Sequence, residues 1–138
     1  GKTAAFLASS MTRLLQNPKE KRRPKTCRVL VLEPTREMAL QIEKDAEAIG
    51  KYTGLYSKAI FGGIDYKAQK DAIEIPVDIL ACTPGRLLDY ARSGALDLSE
   101  TEILSLLSRS EADCVIFGKE FYDIFHALSM SSAHFTVL

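Results

Sequence analysis

No run of eighteen apolar residues occurs anywhere in the 138-residue chain, so no conventional membrane-spanning helix is expected. Cysteine is scarce and scattered. Cys27, Cys82 and Cys114 lack the paired spacing of a metal site. They read as buried thiols in a reducing compartment, which makes a cytoplasmic location the expectation. Net charge is missing too, because 18 Lys and Arg balance 18 Asp and Glu. That balance argues against a broad electrostatic footprint for nucleic acid and leaves room for a local one. The one basic cluster, Lys19, Lys21, Arg22, Arg23 and Lys25, lies in a Pro-bounded linker and reads as a solvated loop. Neither a signal peptide nor a solenoid repeat is expected, since Gly1-Lys2-Thr3 opens directly into a helical pattern and no period recurs. The length suffices for one domain with a real core.

What is present is an alternation of strands and helices, organised around the stretch from Cys27 to Gln41. Its apolar run, Val29 to Leu32, ends at Glu33-Pro34, where Pro34 cannot donate a ladder hydrogen bond. Thr35 can cap the helix that follows. Met38, Ala39, Ile42, Ala46 and Ile49 recur at helical spacing. A buried strand therefore feeds a surface helix through a short polar turn. In open α/β sheets ligands collect outside the carboxyl ends of the strands, where Thr35 and Arg36 would sit. A cation at a helix start does not complement the dipole. Arg36 has either a local structural role or a phosphate to bind beside free backbone N–H groups.

The remaining chain repeats this layout. Gly1 to Gln16 is expected to be a helix with Phe6, Leu7, Met11, Leu14 and Leu15 on its apolar face, ended by Asn17-Pro18. Tyr56 to Phe61 is expected as a strand followed by Gly62-Gly63, which marks either an ordinary turn or a close approach of backbone to a ligand. Asp65 can cap a helix over Tyr66 to Ala72, and Val77 to Ala81 reads as another buried strand. Thr83-Pro84-Gly85-Arg86 then opens a short helix that ends at Ser93-Gly94. Twice, a threonine and an arginine stand at a strand's carboxyl end. This spacing predicts parallel βαβ units, an α/β fold with helices on both faces of one parallel sheet. After Leu98 the pattern weakens. Ile103 to Leu107 could be a strand, with Ser105 expected to interrupt it, and Lys119 to Leu128 is amphipathic through Phe121, Ile124, Phe125 and Leu128.

These stretches, in this order, resemble the first RecA-like domain of the DEAD-box RNA helicases, a branch of the P-loop NTPases. Gly1-Lys2-Thr3 is similar to the end of the family's phosphate loop, and Pro34-Thr35-Arg36-Glu37 to its first RNA-contacting motif. Gly62-Gly63 is similar to its double glycine, and Thr83-Pro84-Gly85-Arg86 to its next RNA-contacting motif. The resemblance implies a partial helicase ATP-binding domain over 1–138, with 105–138 diverged or disrupted, and a second RecA-like domain in the parent. It implies ATP and Mg²⁺ as cofactors, with Gly1, Lys2 and Thr3 at the nucleotide and the Thr3 hydroxyl on the metal. It also implies single-stranded or duplex RNA as partner, contacted along its backbone by Pro34, Thr35, Arg36, Gly62, Gly63, Thr83, Pro84, Gly85 and Arg86. Ser110-Glu111-Ala112-Asp113 is the nearest match to the family's acidic motif. There Glu111 and Asp113 would be the catalytic carboxylates, with Glu111 also near the metal, while serine stands in place of the metal-anchoring acid. Serine cannot substitute for a carboxylate on Mg²⁺. The alternative expectation is therefore a catalytically inactive RNA-binding module, or a structural one that forms homo-oligomers through exposed sheet edges. Phe117, Phe121, Tyr122 and Phe125 would then serve a packing surface.

Overall fold

The computed structural model describes residues 2–63, 65–106, 123–124, 126–128 and 136–137. Helix α1 (Lys2–Gln16) precedes β1 (Cys27–Leu32), α2 (Arg36–Ile49), β2 (Ser57–Ile60), α3 (Tyr66–Ala72), β3 (Val77–Cys82), α4 (Pro84–Ser93), β4 (Ile103–Leu106) and β5 (Thr136–Val137). The strands form one sheet in the order β2-β3-β1-β4-β5, and every pairing is parallel. Each parallel pair needs a crossover, and the helices supply it.

Both faces of the sheet are covered, as a parallel sheet requires. Val29 and Val31 of β1, with Ile79 and Ala81 of β3, pack against Leu7, Met11 and Leu14 of α1 and Ala39, Ile42 and Ala46 of α2. Leu30, Leu32, Leu80 and Cys82 face the other way, toward Leu87, Leu88 and Tyr90 of α4 and the helical residues Ile124 and Leu128. All six residues of β1 are buried, consistent with a central strand. Local chemistry sets the helix boundaries. Thr35 Oγ1 accepts from the Met38 N–H at 3.3 Å, and Asp65 caps α3 through the Lys67 N–H at 2.8 Å. Pro84 occupies the first turn of α4, where its missing N–H costs nothing, and Gly94 closes that helix at φ 79°.

Two expectations are corrected. Ser105 does not interrupt a strand, because β4 pairs with β1 from Val29↔Ile103 to Leu32↔Leu106 with Ser105 opposite Val31. Register against a buried central strand outweighs one hydroxyl in an apolar run. The basic linker is not simply a solvated loop either. The Arg22 side chain is only 12% exposed and meets Asp78 at 2.8 Å and Glu100 at 3.7 Å, while Arg23 meets Asp97 at 3.4 Å. The acidic partners come from far along the chain, which local composition does not reveal. Asp97 shows the consequence. Burial alone would raise its carboxyl, but the Ser99 N–H and the Arg23 charge outweigh that and hold it below the usual carboxylate range.

Candidate nucleic-acid and nucleotide interface

Strands β2, β3 and β1 lie side by side and level at their carboxyl ends. Ile60 is in register with Cys82, and Cys82 with Leu32. The Glu33 N–H donates to the Cys82 carbonyl at 2.9 Å, and the Thr83 N–H to the Ile60 carbonyl at 3.2 Å. The segments that leave these three ends are Pro34-Thr35-Arg36, Thr83-Pro84-Gly85-Arg86 and Gly62-Gly63. With strands about 4.8 Å apart, all three turns fall within roughly 10 Å along one edge. All nine of these sequence-predicted residues are thus brought together.

The arginines differ in how they are held. Arg36, with its side chain 51% exposed, reaches toward the neighbouring turn. Its guanidinium lies 5.6 Å from the centre of the Phe61 ring, and a Cβ added to Gly63 would come within 3.5 Å of Nη1. Gly63 has φ 87°, a backbone conformation that favours glycine, while a side chain there would meet Arg36 only at ordinary contact distance. The ion pair Arg36–Glu37, at 3.7 Å between exposed groups, leaves most of the cationic charge effective in water. Arg86 is more enclosed. Its guanidinium lies 5.4 Å from the Tyr66 ring centre and 5.6 Å from that of Tyr90, and Nη1 donates to Gln69 Oε1 at 3.3 Å. Burial raises the Tyr90 hydroxyl's pKa despite the Arg86 charge, which keeps that phenol protonated as it donates to the Tyr66 carbonyl at 2.6 Å. Thr35 spends its hydroxyl on capping α2, whereas Thr83 makes no side-chain cap bond at the start of α4.

The N-terminus of α1 reaches the same edge. Arg28, near the start of β1, donates to the Leu14 and Asn17 carbonyls, which seats the last turn of α1 at the amino edge of the sheet. A helix of 15 residues is about 22 Å long and a strand of six about 20 Å. Lys2 and Thr3 therefore come level with the carboxyl ends of the strands. Lys2 is exposed, Thr3 is half-buried, and the first turn of α1 carries no acidic residue, so an anion is electrostatically welcome there. The described residues contain no group of three acidic, histidine or cysteine side chains able to hold a metal ion. Gly1, Glu111 and Asp113 lie outside the described residues, as do Ser110, Cys114, Phe117, Phe121, Tyr122 and Phe125.

A family model described as DEAD/DEAH box helicase matches residues 1–136. The chain belongs to the DEAD/DEAH box helicase family. Its curated relatives include the ATP-dependent RNA helicase RhlB of Pseudomonas aeruginosa, 47% identical over 115 residues that make up 82% of this chain and 28% of that protein. The RhlB of Xanthomonas oryzae is 46% identical over 67% of this chain and 16% of its own length. The crystal structure of the yeast DEAD-box splicing factor Prp28 superposes with a TM-score of 0.83 at 27% identity, covering all of this chain and 33% of that one. The fold of this DEAD/DEAH box chain is thus a RecA-like α/β domain, and the chain spans under a third of the length of these relatives.

Sequence reading missed four residues of the site: Phe61 beneath Arg36, and Tyr66, Gln69 and Tyr90 beside Arg86. Gln69 is 4% exposed and accepts from the Phe61 N–H at 3.0 Å. A polar residue on the inward face of a short helix is the one signal that could have singled it out.

Proposed function

We propose that the chain is the nucleotide- and RNA-facing part of an ATP-dependent RNA helicase that acts in the cytoplasm with a second RecA-like domain. In this reading Thr35, Arg36, Gly62, Gly63, Thr83 and Arg86, with Pro34, Pro84 and Gly85 shaping their turns, follow the sugar–phosphate backbone of one RNA strand. Backbone contact gives affinity and register without base preference, as separating arbitrary duplexes requires. Gly1, Lys2 and Thr3 would hold the phosphates of ATP, and Thr3 and Glu111 would hold Mg²⁺, with Glu111 and Asp113 as the carboxylates of hydrolysis. The bound nucleotide supplies the free energy that closes the two domains around the strand. The observation that carries the reading is the placement of Arg36 and Arg86 at one edge of three adjacent strands. A second reading concerns this chain by itself. Ser110 stands where an acid would anchor the metal, which favours RNA binding without hydrolysis.

The test is fluorescence anisotropy of a labelled oligouridylate with the 138-residue chain at low salt. Each of Arg36→Ala and Arg86→Ala should weaken binding on the order of tenfold, as expected for a charge-assisted contact. Together they should lower the slope of log affinity against log salt by about 1.4, at about 0.7 per lost phosphate contact. Thermal melting controls for the packing of Arg86 on Tyr66 and Tyr90. Unchanged affinity and slope in the folded double variant would refute the RNA reading.

A further inference from the structure

Tyr66 is an exposed aromatic side chain at the edge where the three turns meet. Among the described residues, the large apolar side chains open to solvent are Leu15, Ile49, Tyr52, Tyr66 and Ile75. Leu15 lies in the last turn of α1, Ile49 ends α2, Tyr52 precedes β2 and Ile75 precedes β3, so these four sit toward the amino ends of the strands. Tyr66 opens α3 instead, three residues after Gly63, and its ring centre lies 5.4 Å from the Arg86 guanidinium. The ring is also held in place. Its hydroxyl and the Ser93 Oγ are 3.0 Å apart, and the buried Tyr90 ring meets it in a T-shaped arrangement at 4.6 Å between centroids and 73° between planes. With those contacts made, 40% of the residue stays open to solvent. A ring fixed before its ligand arrives loses little entropy when the ligand binds.

We propose that Tyr66 is a stacking residue for a base of the bound RNA strand. The inference rests on the RNA reading of the three turns and deepens it with a contact that does not depend on charge. A nucleotide whose phosphate lies at the Gly62-Gly63 and Thr83–Arg86 turns carries its base one ribose away, within reach of a ring beside those turns. Single-stranded RNA stacks its bases on aromatic side chains, and every base has a flat face to offer. Such a contact adds affinity without a base code, in keeping with turns that follow the sugar–phosphate backbone.

The experiment measures anisotropy with two labelled probes, an oligouridylate and an abasic RNA with the same ribose–phosphate chain and no bases. Tyr66→Leu should weaken oligouridylate binding about tenfold and should not weaken binding of the abasic probe. The salt slope should stay at the parent's value, because no phosphate contact is lost. Tyr66→Phe keeps the ring and should recover the oligouridylate binding that Tyr66→Leu loses. The chain contains no tryptophan, so Tyr66→Trp places a single reporter at the site. Its emission should be quenched by the oligouridylate and not by the abasic probe, a readout that does not depend on whether Tyr66→Leu folds. Equal weakening toward both probes, or a slope smaller by about 0.7, overturns the proposal, because Tyr66 then acts by holding Arg86. Tyr66→Leu binding that matches the parent's, or tryptophan emission unchanged when anisotropy shows the oligouridylate bound, also overturns it. The RNA reading then still stands if Arg36→Ala and Arg86→Ala weaken binding. If both arginine variants bind as the parent does, the RNA reading fails and this inference fails with it.

Discussion

Cys27 and Cys82 sit fully buried in the adjacent strands β1 and β3, and their chemistry is set by that burial. Desolvation pushes the Cys27 thiol from 9.0 up to about 12, outweighing the opposing hydrogen bond with the Thr101 hydroxyl. Burial raises Cys82 well above its ordinary value too, helped by Cys27 and Glu33. Since the folded chain holds these protons more tightly than the unfolded chain, their stabilising effect is complete below about pH 9. It fades as pH rises toward the folded values. In a Cys114→Ser variant, neither remaining thiol should react with Ellman's reagent at pH 8 until denaturant unfolds the chain, and urea midpoints should fall between pH 9 and pH 11. Rapid labelling of the native variant would contradict this. Single residues were legible in the sequence where their role depends on close neighbours. Thr35 caps three residues ahead, and Arg36 and Arg86 stand in short turns that announce themselves. Gln69 was not legible, because Phe61 is eight positions away and Arg86 seventeen, and only the assembled sheet brings them to one carboxamide.

At the scale of elements, Arg28 decides how α1 docks. It is 3% exposed, pairs with Glu102 just before β4, and donates to the carbonyls of Leu14 in the last turn of α1 and of Asn17 just after it. One buried cation thus satisfies a helix end that would otherwise carry orphan acceptors, and it ties that end to the start of a strand 74 positions later. Removing one partner of such a pair strands the other charge. Arg28→Ala should destabilise the chain by about 3 kcal/mol, seen as a lower urea midpoint with an unchanged slope. Arg28→Met paired with Glu102→Leu should recover only part of the loss, since matched apolar groups avoid the stranded charge but leave the Leu14 and Asn17 carbonyls without their donor. Helices were legible in the sequence because their period is local, and α2 runs over Arg36–Ile49, from the expected Thr35 cap to the last of the expected apolar positions. Strand β4 was obscured, because its identity comes from pairing with β1 and not from its own four residues. The linker ion pairs were obscured for the same reason, their partners being Asp78 of β3 and Asp97 and Glu100 ahead of β4, all far along the chain.

Across the whole molecule, alternating strands and helices were enough to anticipate a parallel sheet with both faces covered, because no other arrangement buries so many apolar strands in that order. The strand order was beyond the pattern, since which strand lies central depends on all pairings at once. One consequence concerns the sheet edge at β2, where unpaired N–H and C=O groups invite a second chain. In the parallel pairing with β3, Ala59 turns its N–H outward, and the Glu43 carboxylate of α2 accepts it. Lys58, beside it, lies 3.9 Å from the same carboxylate. A helix side chain therefore occupies a place that an incoming strand would need, and a four-residue strand that carries a lysine gives little further template. Glu43→Ala frees that N–H and removes the ion pair with Lys58. It should raise the apparent mass in light scattering as concentration increases, relative to the unaltered chain under the same conditions. Glu43→Gln retains an acceptor for Ala59 and should scatter like the parent, which separates edge protection from loss of charge. If Glu43→Ala shows no greater concentration dependence than Glu43→Gln, the carboxylate is not what keeps this edge from pairing.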